Sequence, residues 1–417
     1  MGFRMNKVAV AVAATLGITV AGIGTAQADE ILFPYIVTSA TVTTLVTTIN
    51  NVTALDSSAA TPTKLHYRYW YKNGARAENN AATCEEVNRT LPSSANDVVT
   101  IDVGGKIKKD NLGILFEDVK VSTLPASDGR GYGAASFSLL AGLTQPVRSF
   151  LVVDNNDFTT TESFFRTSDS IAGEAIVLEF ANGAAWGYSA YNASGRFDAN
   201  GSRTNAYDFS DFVETTGEVL SGQAGRGFVP VAVAPRFVDG DPTKGDDVIT
   251  KFFVTPIAQS TFSTATNTWV PPVGGQLRGD LTTRVRLAVQ DQDLGAAVMY
   301  DRDEAPISGQ VPQSVTCVGA VDFKDLLSEG ARGLVPAGGW SNLVVGGATG
   351  VNTQEAVVIK LEYNTKTSPS LPALGIINNA IWLRKGIKES IPTPASGPRV
   401  SLSTVGFDIN AVSSTAN

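Results

Sequence analysis

The sequence predicts an all-β protein: antiparallel β-sandwiches of immunoglobulin-like type, forming two packed β domains with few short helices. Three observations predict it. Glycine and proline supply 40 and 19 of the 417 residues, a level that suits many short strands and turns. Runs rich in valine, isoleucine, threonine and aromatic residues recur at short intervals, mostly bounded by Gly, Asn, Asp or Pro. No segment sustains the apolar stripe of a long helix. The chain is 43% apolar and 17% charged, against roughly 25% charged in an average globular protein, which argues against global disorder.

The first element is an export signal. Arg4 and Lys7 form a basic start, residues 8–25 are small and apolar without charge, and Ala26-Gln27-Ala28 is an A-x-A cleavage site before Asp29-Glu30. An uncleaved anchor is the alternative, since the run is long enough to span when tilted. Cleavage after residue 28 leaves 389 residues (417 − 28), with 30 basic against 40 acidic side chains and a net charge of −10. No Cys follows the site to carry a lipid, and no later run predicts a transmembrane helix. An acidic exported chain is repelled by nucleic acid and anionic lipid, so nucleic acid is not an expected partner.

The strands follow in order. Residues 31–50 read as one Val/Ile/Thr-rich run. Residues 64–72 (KLHYRYWYK) alternate, with Leu65, Tyr67, Tyr69 and Tyr71 on one side and His66, Arg68, Trp70 and Lys72 on the other. Asn73-Gly74 is a turn signal. Strands are then expected at 98–103, 134–140, 148–153, 175–180, 186–191, 229–234, 250–255, 283–289, 296–300, 356–363 and 379–384, with helical turns at 208–220 and 322–332. Ser221 to Gly227 (SGQAGRG) is the best internal linker, which divides the mature chain into 29–225 and 226–417. A weak repeat supports that division: Tyr71, Cys84 and Gly104-Gly105 are echoed by Tyr300, Cys317 and Gly338-Gly339.

Few constellations carry chemistry. Cys84 and Cys317 are the two cysteines, and in an oxidising compartment they form one disulfide or remain two buried thiols. His66 is the only histidine, which removes two-histidine mechanisms and leaves any Ser-His-Asp triad dependent on it. No G-x-S-x-G elbow, P-loop or G-x-G-x-x-G run occurs. Asp239, Asp241, Asp246 and Asp247 share a Gly/Pro loop, and Asp291 and Asp293 stand in a second acidic turn. Calcium takes six to eight oxygens, which such loops supply, so Ca2+ at Asp239, Asp241, Asp246 and Asp247 is weighed against solvated turn acids. Tyr67, Tyr69, Trp70 and Tyr71 form a sugar-stacking platform if exposed and a sheet core if not. Arg278-Gly279-Asp280, an integrin-recognition tripeptide, arises by chance often enough to carry little weight.

In composition the chain resembles bacterial surface-layer and adhesin-type β proteins. The function expected first is a non-catalytic structural or interaction protein of the bacterial cell surface or extracellular space. Its partners would be an envelope or extracellular protein, a polysaccharide, or further copies of itself. The alternative is a secreted carbohydrate-binding module or a glycosidase, which needs two carboxylates about 5 to 10 Å apart beside aromatics. An outer-membrane β-barrel is the third reading.

Overall fold

The computed structural model describes residues 30–39, 46–54, 63–93, 98–105, 114–116, 140, 142–154, 171–179, 184–192, 194–197, 203–208, 228–233, 248–258, 261–263, 265, 268–270, 276–289, 298–335, 338–346, 355–364 and 378–382. The signal segment, the linker at 221–227, the helical turn expected beyond 208 and most of the strand expected at 134–140 lie outside them.

The first half contributes β1 (Glu30–Thr38), β2 (Val46–Ala54), β3 (Thr63–Asn73), β4 (Glu85–Ser93), β5 (Val98–Asp102), β6 (Ile114–Phe116), β7 (Val147–Asp154), β8 (Ile171–Glu179), β9 (Ala184–Ser189), β10 (Tyr191–Asn192), β11 (Ser194–Phe197) and β12 (Arg203–Asp208). A single helical turn, α1 (Ala75–Glu78), interrupts them. The second half contributes β13 (Phe228–Val233), β14 (Val248–Ile257), β15 (Thr261–Ser263), β16 (Thr268–Val270), β17 (Thr282–Ala288), β18 (Met299–Asp301), β19 (Pro306–Ile307), β20 (Gln313–Thr316), β21 (Gly319–Asp322), β22 (Gly339–Val345), β23 (Glu355–Asn364) and β24 (Asn378–Trp382). A 3-10 turn (Phe323–Leu326) and α2 (Glu329–Arg332) fill the helical turn expected at 322–332.

The protein is all-β, sandwich-like, with several antiparallel sheets and very few helices. The first half forms two five-stranded sheets, in the orders β10-β1-β7-β3-β4 and β6-β5-β2-β8-β9. The second half forms a six-stranded sheet, β19-β18-β22-β17-β20 with β13 also on β22, and a four-stranded sheet, β21-β14-β23-β24. Two short ribbons, β11-β12 and β15-β16, complete the described strands. No described sheet takes strands from both halves, and none closes on itself, so the described strands are not a closed barrel.

The four-stranded sheet is the layer that joins the halves. Along β14, Phe252 and Val254 enter the second-half core, while Phe253 and Ile257 enter the first-half core. Along β23, Ala356 and Val358 face one core and Val357, Ile359 and Leu361 the other. A sheet buried on both faces needs apolar residues at successive positions, which is why KFFVTPI and EAVVIKLE lack clean alternation. Tyr35 of β1, Phe253 of β14 and Trp186 of β9 stack across this boundary, with ring centroids 3.9 Å apart for Tyr35–Phe253 and 5.1 Å for Trp186–Phe253.

Two sequence expectations change. The run at 31–50 is not one strand: β1 and β2 lie in different sheets. The repeat around the cysteines does not extend to topology, since Tyr71 sits in an eleven-residue strand between β4 and β7, and Tyr300 in a three-residue strand between β19 and β22.

Candidate functional site

β3 keeps its alternation only as far as Tyr69. Leu65, Tyr67 and Tyr69 are buried, the two tyrosines at 1% exposure each. Trp70 is also buried, at 6%, stacked on Phe150 at 4.9 Å with the Arg68 guanidinium 5.3 Å from its ring. A sugar platform needs open ring faces, so the stacking expectation at Tyr67, Tyr69 and Trp70 is corrected: these rings are core. Tyr71 is half-buried and donates from its hydroxyl to Glu85 Oε2 at 3.0 Å. Partial burial, then that hydrogen bond, raises the Tyr71 phenol above its ordinary value. Hydrogen bonds from Arg76 and Tyr71 hold the Glu85 carboxyl below its ordinary value.

The second face of β3 is covered by a segment that also grips the other half. Gly74, at φ +54°, ends the strand where the Asn73-Gly74 signal predicts a turn, and its N–H donates to the carbonyls of Thr144 and Pro146. After α1, residues 79–84 lie against residues 279–281 and 316–320. Cys84 forms a disulfide with Cys317, 233 residues away. The Cys84 N–H donates to Gly279 O at 2.9 Å, and the Thr316 N–H donates to Asn80 O at 2.8 Å. The Asn80 side chain behaves like a piece of strand: Nδ2 donates to Ala320 O and Oδ1 accepts from Ala320 N. Close approach needs two glycines, since a Cβ on Gly279 would stand 2.6 Å from Cys84 O and one on Gly319 2.7 Å from Asn80 Oδ1. The Arg278-Gly279-Asp280 tripeptide is therefore part of this junction, with Arg278 Nε and Asp280 Oδ1 3.1 Å apart.

Lys72 lies beneath the clasp with 0% exposure. Its Nζ donates to Asn79 O at 3.0 Å and to Thr316 O at 3.2 Å, one carbonyl from each half. Arg148 is its directly opposed cross-strand neighbour, a like-charge pair. Burial, then Arg148 and Arg76, lowers the Lys72 ammonium to about 7, with Glu78 pulling the other way. Two carbonyls, one from each half, receive its N–H donors. Arg148 in turn donates to Asn80 Oδ1 at 3.2 Å, reaches Glu78 at 3.5 Å, and packs over the Tyr35 ring.

A second contact welds the halves. β1 carries a register shift between Phe33 and Ile36. There the Pro34 carbonyl accepts from Thr255 Oγ1 of β14 at 2.6 Å, and the Tyr35 carbonyl accepts from the Tyr188 hydroxyl. Burial drives the Tyr188 phenol far above its ordinary value.

Among the described residues no group of three or more His, Cys, Asp or Glu could hold a metal ion. The calcium expectation at Asp239, Asp241, Asp246 and Asp247, and the turn with Asp291 and Asp293, lie outside the described residues. His66 lies on β3 opposite Thr90 of β4 and Asp154 of β7. No described helix is long and apolar enough to cross a membrane.

The sequence reading missed one exposed aromatic pair. Trp340 of β22 is 42% exposed and stacks on Tyr300 of β18, ring centroids 5.4 Å apart and planes 27° apart. Tyr300 pairs in register with both Trp340 and Pro306. No local pattern in GWSNLVV or MYD marks this pair, because it joins strands forty residues apart.

Comparison with known proteins finds no matching family, no similar curated protein and no similar solved structure.

Proposed function

We propose that the chain is an exported, non-catalytic structural or interaction protein of the bacterial cell surface or extracellular space. The observation that supports this most is the Cys84–Cys317 disulfide at the junction of the halves. A bond of this kind persists in oxidising compartments, to which the signal segment at residues 1–28 would deliver the chain. The junction around it is closely bonded: backbone hydrogen bonds, an asparagine acting as strand, and aromatic rings stacked between layers. Partners act on such a scaffold through its loops and exposed faces. They would be an envelope protein, a polysaccharide or another copy, with calcium at the Asp239–Asp247 loop as a bridge for surface retention.

Fractionation of native cells tests this, with and without an EDTA wash and with thiols alkylated before any reduction. The expected result is a chain starting at Asp29, outside the cytoplasm, with no alkylated cysteine. Release by EDTA assigns calcium a part in retention, and retention without release assigns it to other contacts. A cytoplasmic chain with two alkylated cysteines overturns the proposal.

A further inference from the structure

The Cys84–Cys317 bond joins two sulfurs in unlike surroundings. Cys317 is 0% exposed and belongs to the first-half core, whereas Cys84 is half-buried. A reagent from solvent therefore meets Cys84 first. The Cys317 backbone is bent into a three-residue turn: its φ is +62°, and the Val318 N–H donates to Thr316 O at 2.8 Å. Such a turn, with a positive φ at a centre other than glycine, is rare and strained. Ties on each side hold it. The Cys317 N–H donates to Leu281 O, the Thr316 N–H donates to Asn80 O, and the sulfur is bonded to Cys84. Disulfides that are strained or accessible are the ones that exchange with thiols.

The segment that this bond ties down buries little of its own. From Ala75 to Thr83 only Ala77 is buried, while Ala75, Glu78, Asn79, Ala81 and Thr83 are exposed. α1 is a single turn with no side-chain cap at its start. Segments with few buried apolar contacts open first. The halves are also joined elsewhere, by the sheet buried on both faces, the Tyr35–Phe253–Trp186 stack and the Thr255–Pro34 hydrogen bond. Loss of the disulfide therefore loosens the clasp and leaves the halves together. Beneath the clasp lies a sheet edge. β21 has β14 as its one described strand neighbour, and the Asn80 side chain takes up both the N–H and the C=O of Ala320. A loop laid over an edge keeps it from pairing with another strand.

We propose that Cys84–Cys317 is a redox latch: exchange with a dithiol at Cys84 lifts residues 75–84 and uncovers the Ala320 edge of β21, while the halves stay joined. The inference goes beyond the functional reading, which needs only the oxidised, closed clasp. A thiolate of the dithiol attacks Cys84 Sγ, the bond to Cys317 breaks, and the Cys317 thiolate takes a proton from water. The second thiolate of the reductant then attacks its own sulfur in the mixed disulfide. Cys84 leaves and is protonated in turn. Two cysteines are reduced, one dithiol becomes a disulfide, and the two protons it gives up match the two gained. With the bond gone, the hydrogen bonds from the Cys84 N–H to Gly279 O and between Asn80 and Ala320 are what hold the clasp, both of them near solvent.

The test is amide hydrogen exchange of the purified, oxidised chain without denaturant, before and after excess dithiothreitol, with new thiols alkylated and counted by mass. Both cysteines should become alkylated while tryptophan fluorescence and circular dichroism stay those of the folded protein. The amides of Cys84, Thr316 and Ala320, which bond across the clasp, should exchange about tenfold faster or more. Those of Phe252, Phe253 and Val254 in β14 should keep their rates. Cys84→Ser combined with Cys317→Ser should show the fast pattern with or without reductant. A bond that resists dithiothreitol until urea unfolds the chain overturns the proposal. So does reduction that leaves the three clasp amides slow, or that speeds β14 equally. All of these outcomes are read on purified protein, so the extracellular reading stands or falls by fractionation alone.

Discussion

Lys72 makes the stability of this protein depend on pH in a direction opposite to that of a lysine held in an ordinary salt bridge. The unfolded chain holds the Lys72 proton with the ordinary value of 10.5, and the folded chain with a value of about 7. Between those values the unfolded state binds the extra proton, so stability rises as pH rises through this window and the full cost of the buried charge is felt below it. At 1.36 kcal/mol per pH step the whole effect is about 5 kcal/mol, of which about 2 kcal/mol falls between pH 7 and 9. The raised phenols of Tyr71 and Tyr188 act above that window, where they lower stability as pH climbs past 10. Lys72→Met removes the proton and both hydrogen bonds to Asn79 and Thr316. Urea unfolding of the oxidised protein, followed by tryptophan fluorescence at pH 6, 7, 8 and 9 and constant ionic strength, compares the two chains. The expected result is a wild-type advantage that grows by about 2 kcal/mol from pH 7 to 9. Parallel lines for the two chains would refute the reasoning, because they mean that Lys72 stays charged in the folded state.

Other perturbations probe the rest of the junction. Replacing both cysteines by alanine opens a 233-residue loop and should cost about 5 kcal/mol in the chain-entropy account, read by chemical unfolding. Cys317 sits at φ +62°, so pairing Cys84→Ala with Cys317→Gly should recover about 1 kcal/mol relative to the double alanine variant. Thr255→Val leaves the buried Pro34 carbonyl without its donor and should cost about 1–3 kcal/mol, measured the same way. Gly279→Ala forces a Cβ against Cys84 O and should lower the melting temperature, whereas Gly142→Ala, which meets nothing within 4 Å, should leave it nearly unchanged.

Local chemistry made much of the fold legible. Valine-, threonine- or aromatic-rich runs mark β3, β5, β7, β14, β17 and β23, and both halves form their own sheets. Of the strands that escaped, two show the physical reason. β4 (EEVNRTLPS) is charged and carries Pro92, as suits a strand with one described neighbour, and β22 opens with Gly-Trp-Ser-Asn before its apolar part. The candidate sites were less legible because they depend on distant residues. The alternation of KLHYRYWYK leaves exposed platform and sheet core open, and the core reading wins because Trp70 is buried against Phe150 and Lys72 beneath Asn79 and Thr316. The exposed aromatic pair is assembled from residues 300 and 340, and only the sheet brings them together. Spacing likewise offered Cys84 and Cys317 as partners without being able to join them.

The register shift in β1 also has a consequence for the order in which the chain becomes itself during synthesis. Pro34 and Tyr35 are made well before the hydroxyl that Pro34 needs, which arrives more than two hundred residues later, on Thr255. The Tyr35 and Trp186 rings lack their cover until Phe253 follows. The leading half alone would bury a carbonyl without a donor or leave it wet, and in either case would fall short of its final stability. A nascent chain of this design reaches its mature form late, when its trailing half lies down on the leading one. That delay is built into the hydrogen-bond pattern of β1.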